Sequence, residues 1–63
     1  MNENQNHEHI SYFVIRVKSL DGVILSFNVK KYNIDDGFVV FSDRNEKVQR
    51  FAVSNCEIKE VIG

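Results

Sequence analysis

The stretch IRVKSLDGVILSFNVKKYNIDDGFVVF, from Ile15 to Phe41, holds three apolar runs separated by two short turns, each ending in glycine. Its middle run, Val23 to Val29, carries Val23, Leu25, Phe27 and Val29 at a period of two and predicts a central strand. Upstream, Phe13, Ile15 and Val17 alternate with Tyr12, Val14, Arg16 and Lys18. That alternation predicts a half-buried first strand whose odd positions face the core. The turn between the two runs sets their register. A two-residue loop at Asp21-Gly22 pairs Val17 with Ser26 and puts the apolar faces out of step. A three-residue loop, Leu20-Asp21-Gly22, pairs Val17 with Leu25, Ile15 with Phe27 and Phe13 with Val29. It also leaves Gly22 at the left-handed position such loops require.

The second turn is read in the same way. Asp35-Asp36-Gly37 as a three-residue loop pairs Ile34 with Phe38 and Tyr32 with Val40. Tyr32 and Ile34 then have the opposite parity to Phe27 and Val29, so the strand is expected to bulge or bend near Lys30-Lys31. A bent second strand is how a small barrel turns a corner. After Phe38–Phe41, the polar run Ser42–Lys47 reads as a loop. Val48–Val53 reads as a fourth strand with Phe51 and Val53 as core positions. Ser54-Asn55 predicts one short 3-10 turn, and Ile58–Ile62 a last strand closing against the first.

Composition agrees with this reading. The chain has 63 residues, 43% of them hydrophobic and 27% charged, with no proline, as expected for one small β-rich domain. Residues 1–8 lack periodicity and read as a disordered lead-in, and residues 9–63 as one domain. The fold expected is all-β: a small five-stranded antiparallel barrel, SH3-like or Sm-like. The pattern of a strand, DG, a strand through Phe27, a second DG and a closing Ile58-x-x-Val61-Ile62 resembles the short barrel proteins encoded by phages and prophages. The resemblance spans Tyr12 to Ile62 and implies a non-enzymatic accessory role. The glycine and aspartate-asparagine pattern with which Sm proteins hold RNA bases does not follow Phe27.

Eight basic and nine acidic residues give a net charge of −1, against the basic excess usual in a compact nucleic-acid binder. A single cysteine, Cys56, a polar N-terminus and no long apolar run predict a cytoplasmic protein without membrane contact. His7 and His9 could share one side of an extended strand, with Cys56 as a third ligand, but a structural zinc site wants four. Neither a metal nor a cofactor is expected. Cys56 sits between Asn55 and Glu57 without a base in sequence reach, no phosphate loop or nucleophile elbow occurs, and an enzyme is not expected.

Two binding surfaces follow. Tyr12, Val14 and Ile24 lie opposite the Phe13 face, and Val39 and Phe41 share their strand with Phe38 and Val40. Apolar residues on both sides of one strand predict a contact by Tyr12, Val14, Ile24, Val39 and Phe41 with a second copy or a larger protein. The alternative is nucleic-acid binding by Arg16, Lys18, Lys30 and Lys31, with Tyr12 and Asn28 on the face shared by Arg16 and Lys18.

Overall fold

The computed structural model describes residues 10–62. The lead-in, together with His7 and His9, lies outside the described residues.

Strand β1 (Ile10–Lys18) is followed by β2 (Ile24–Val29), β3 (Asn33–Asp35), β4 (Phe38–Ser42) and β5 (Val48–Ala52). A 3-10 turn at Val53–Asn55 then leads into β6 (Cys56–Ile62). All ladders are antiparallel, and the strands form two three-stranded sheets, ordered β2-β1-β6 and β3-β4-β5. The fold is all-β, with the expected 3-10 turn.

The first hairpin has the register read from its turn: Val17 opposite Leu25, Ile15 opposite Phe27 and Phe13 opposite Val29. The Ser19 amide donates to the Val23 carbonyl at 2.9 Å and the Gly22 amide to the Ser19 carbonyl at 3.1 Å, closing the three-residue loop. Gly22 has φ +87°, where a side chain would be strained. Asp21 ties the loop further: its carboxylate accepts from the Ser19 hydroxyl and from the Val23 amide.

Several expectations need correction. First, the described residues form six strands rather than five, because the bend expected near Lys30-Lys31 is a full break from Lys30 to Tyr32. Second, the chain leaves one sheet at that break and enters another, so the strands do not close into a barrel. Third, β1 and not the Val23–Val29 run is the central strand: β6 takes the other side of β1, which leaves β2 at an edge.

Fourth, the second turn is a two-residue loop. Asp36 (φ +53°) and Gly37 (φ +82°) both have positive φ, as a type I′ turn requires. Asp35 therefore pairs with Phe38, Ile34 with Val39 and Asn33 with Val40. A slip of one residue reverses the face of every side chain in β4. Val39 (0% exposed) and Phe41 (4%) thus lie in the core, and Phe38 and Val40 are half-buried on the other face. Val39 sits opposite Phe51 of β5. Val53, expected in the core, is in the 3-10 turn and exposed.

The core joins Ile15, Val17 and Val29 of one sheet to Val39 and Phe41 of the other. Between the sheets, the Phe27 ring lies 5.0 Å from Phe41 and 5.8 Å from Phe51, and Phe41 lies 6.1 Å from Phe51. At the corner, Tyr32 meets Phe13 edge-on at 5.0 Å. The β4–β5 loop is held by Asp43. Its amide donates to the Lys47 carbonyl, and its carboxylate accepts from the amides of Asn45 and Lys47 and from Gln49 Nε2, all at 2.8–2.9 Å.

The inward register of β4 separates its two phenylalanines. Phe41→Ala should cost about 3–5 kcal/mol, enough to unfold a domain of this size, and Phe38→Ala about 1 kcal/mol. Urea denaturation of both variants checks this, and equal losses would contradict the register.

Candidate functional site

The outer face of the first sheet carries Tyr12, Val14, Arg16 and Lys18 from β1, with Ile24, Ser26 and Asn28 beside them on β2. On the β6 side, Val61 lies opposite Tyr12, Lys59 opposite Val14 and Glu57 opposite Arg16. Tyr12 and Val14 are half-buried and Ile24 is half exposed. These three candidate contact residues therefore share one surface, whereas Val39 and Phe41 are buried in the core and cannot join it.

Apolar exposure is concentrated instead at the β1–β2 hairpin. Leu20 is fully exposed (106%), and Val23, Ile24 and Leu25 are exposed close by in sequence, whereas Val48, Ile34, Ile62 and Val53 are exposed at separate places. Leu20 stands in the three-residue loop, where the turn points it away from both sheets. On the core side of the same end lies an open hollow lined by Val17, Leu20, Leu25 and Phe51, among others. Sequence reading missed Leu20, Val23 and Leu25 as surface residues. A leucine inside a loop was the available signal; Val23 and Leu25 look like core by parity, and only their place beside an open edge exposes them.

The four cations of the alternative site are not brought together. Arg16 and Lys18 lie toward the hairpin end of β1, while Lys30 and Lys31 follow the far end of β2. The pairs Lys18–Ile24 and Phe13–Val29 that bound this ladder are about 17 Å apart at strand spacing. Arg16 also faces Glu57 at 3.9 Å. The Lys30 ammonium donates to the Ser11 carbonyl at 3.2 Å. Lys30 and Lys31 do line one open cleft with Tyr32, Asn33 and Arg44. Arg44 was missed because it lies in the polar β4–β5 loop, and no periodicity links a loop to a strand.

On the outer face of the second sheet Arg50 shields Phe38, whereas Val48 stays exposed. The Arg50 guanidinium lies 4.6 Å over the Phe38 ring and 3.6 Å from the Asp35 carboxylate. Cation–π contact and stem packing thus cover the apolar side of β4 that the core leaves out.

Cys56 opens β6 and packs against the core, opposite Val17. Partial burial raises its thiol pKa. Among the described residues, no group of three or more His, Cys, Asp or Glu could hold a metal ion. No helix among them is long and apolar enough to cross a membrane.

Comparison with protein-family models, with curated proteins and with solved structures gives no match for this chain.

Two expectations follow. With its thiol raised, Cys56 should react with iodoacetamide at neutral pH more slowly than free cysteine, and a faster rate would contradict the assigned environment. The Asp43 carboxyl is held below its ordinary 3.8, first by the Gln49 side chain and then by the Lys47 amide. A depressed acid stabilises the fold above its unfolded pKa and loses that contribution as pH falls through the folded value. Stability should therefore drop as pH falls below 3.8, and less steeply in Asp43→Asn. Chemical denaturation across acid pH reads the difference.

Proposed function

We propose that this chain is a small non-enzymatic β interaction protein acting by protein–protein contact, through self-association or by docking on a larger partner. The observation that carries the reading is the exposure of Leu20, Val23, Ile24 and Leu25 at the first hairpin, with Ile24 on the outer face that also carries Tyr12 and Val14. Exposed apolar surface on so small a domain costs solubility unless something covers it. A chain of this length also has little core of its own, and association adds buried area. The features behind the SH3-like, phage-type resemblance support an accessory or inhibitory role in the cytoplasm: a glycine-ended first hairpin, a broken second strand and a 3-10 turn before the last. The interface we assign is Tyr12, Val14 and Ile24, extended by Leu20, Val23 and Leu25.

Light scattering across a concentration series tests self-association. The expected result is a mass above the 7.3 kDa of one chain, returned to one chain by Leu20→Asp with Ile24→Asp. A single-chain mass at every concentration removes self-association and leaves docking on a larger protein.

One observation favours a second reading, nucleic-acid binding: Lys30, Lys31 and Arg44 line a cleft beside the Tyr32 ring. Fluorescence anisotropy with single-stranded DNA and RNA should then show binding that weakens steeply with salt and is lost in Lys30→Glu with Lys31→Glu. Equal binding by parent and variant removes this reading.

A further inference from the structure

Among the described residues, the backbone edge of β2 is less protected than any other sheet edge. Edge strands generally carry charge, proline or a bulge, or are kept very short, so that they do not pair with another chain. Of the other edges, β3 is three residues long, β5 carries Arg50, and β6 carries Glu57, Lys59 and Glu60. The six residues of β2, ILSFNV, include no charge, and its ladder with β1 is regular from Lys18–Ile24 to Phe13–Val29.

The hairpin bond shows which backbone groups this edge offers. Ser19 and Val23 form a hydrogen-bonded pair, and such pairs alternate along an antiparallel ladder. Leu25, Phe27 and Val29 therefore direct their N–H and C=O toward β1. Ile24, Ser26 and Asn28 direct theirs away from it, to the free side. Across from that edge, Asp43, Arg44 and Asn45 of the β4–β5 loop form the far wall of an open hollow whose near wall is Ser26, Phe27 and Asn28.

We propose that a second copy of this chain pairs with β2 in antiparallel fashion about a twofold axis at Ser26, joining two three-stranded sheets into one of six strands. This assigns an interface to the self-association reading above and rests on it. Centring on Ser26 is what allows Ile24, Ser26 and Asn28 of both copies to bond at once, for about six backbone hydrogen bonds. Ile24 then lies opposite Asn28 of the second copy, and Leu25 opposite its Phe27. The Leu25 side chain of one copy enters the hollow beside Phe27 of the other. The charges match as well. The same register sets Lys30 of one copy opposite Gly22 of the other and brings Lys31 toward Asp21, whose carboxylate is exposed at the hairpin tip. No like charges meet along the paired strands, because β2 carries none.

The test uses the full chain, by sedimentation across a concentration series and by amide hydrogen exchange. A dimer is expected in which the amides of Ile24, Ser26 and Asn28 become protected as dimer forms. Those of Leu25, Phe27 and Val29 should be protected at every concentration, because they bond β1. Ser26→Pro removes only an outward N–H, at an edge position where proline is tolerated. It should weaken the dimer about a hundredfold by deleting both central bonds, while the β1–β6 ladder keeps its protection. Should Ser26→Pro fail to fold, Ser26→Lys places two cations at the axis on exposed positions and should weaken the dimer likewise. A dimer whose Ile24, Ser26 and Asn28 amides exchange as freely as in the monomer overturns the proposal and leaves self-association through another surface. A chain that stays monomeric throughout overturns both the proposal and self-association, leaving docking on a larger protein.

Discussion

Three phenylalanine rings hold this molecule together as one body. Among the described residues no backbone ladder connects the two sheets, and side chains join them, with Phe27 from one and Phe41 and Phe51 from the other meeting between them. Aromatic pairs at these separations gain energy beyond their buried area. They also explain how a chain this short folds without a closed barrel: a few large rings fill space that a closed sheet would otherwise enclose with many smaller residues. Around them Ile15 and Val39 are fully buried, while most of the remaining apolar residues are covered on one side only.

Register is the second constraint, and two glycines set it. Gly22 ends a three-residue loop, which keeps Leu25, Phe27 and Val29 on the side of Ile15. Gly37 ends a two-residue loop, which turns Val39 and Phe41 inward. Loop length thus decides, one residue at a time, which half of an apolar strand becomes core and which half is left for contact.

Most of the fold was legible in the amino-acid order for this reason. The first hairpin could be derived outright, because only one loop length put Phe13, Ile15 and Val17 on the face of Leu25, Phe27 and Val29. The second could not. Phe38, Val39, Val40 and Phe41 are apolar without interruption, so alternation says nothing about which pair faces inward, and the loop length read from Asp35-Asp36-Gly37 was one too long. Val39 and Phe41 were placed on the candidate surface because both sides of their strand are apolar, and only the register shows that they face inward. The break at Lys30–Tyr32 was visible as a change of parity, but that the chain would leave the sheet there, stranding β2 at an edge, depends on how β3 and β4 pack. For the site, Tyr12, Val14 and Ile24 were legible from strand parity alone. Arg44 was not, because proximity between a loop and a strand end is a property of the folded chain, and Val23 and Leu25 were not, because only the open edge of β2 exposes them.

The pairing of β1 also bears on the order in which the molecule is made. Among the described strands, β1 comes first and its partner β6 last. The β1–β2 hairpin is local and can form as soon as its residues emerge from the ribosome, but the other side of β1 stays open until every later strand has been synthesised. During that interval the β6 side of β1 is bare, and Ile15 and Val17 lack both their ladder partners Ile58 and Cys56 and the cover of Val39 and Phe41. Translation speed through the second half of the chain therefore sets how long this sticky intermediate persists, and a chaperone that shields extended apolar strands would find its substrate here.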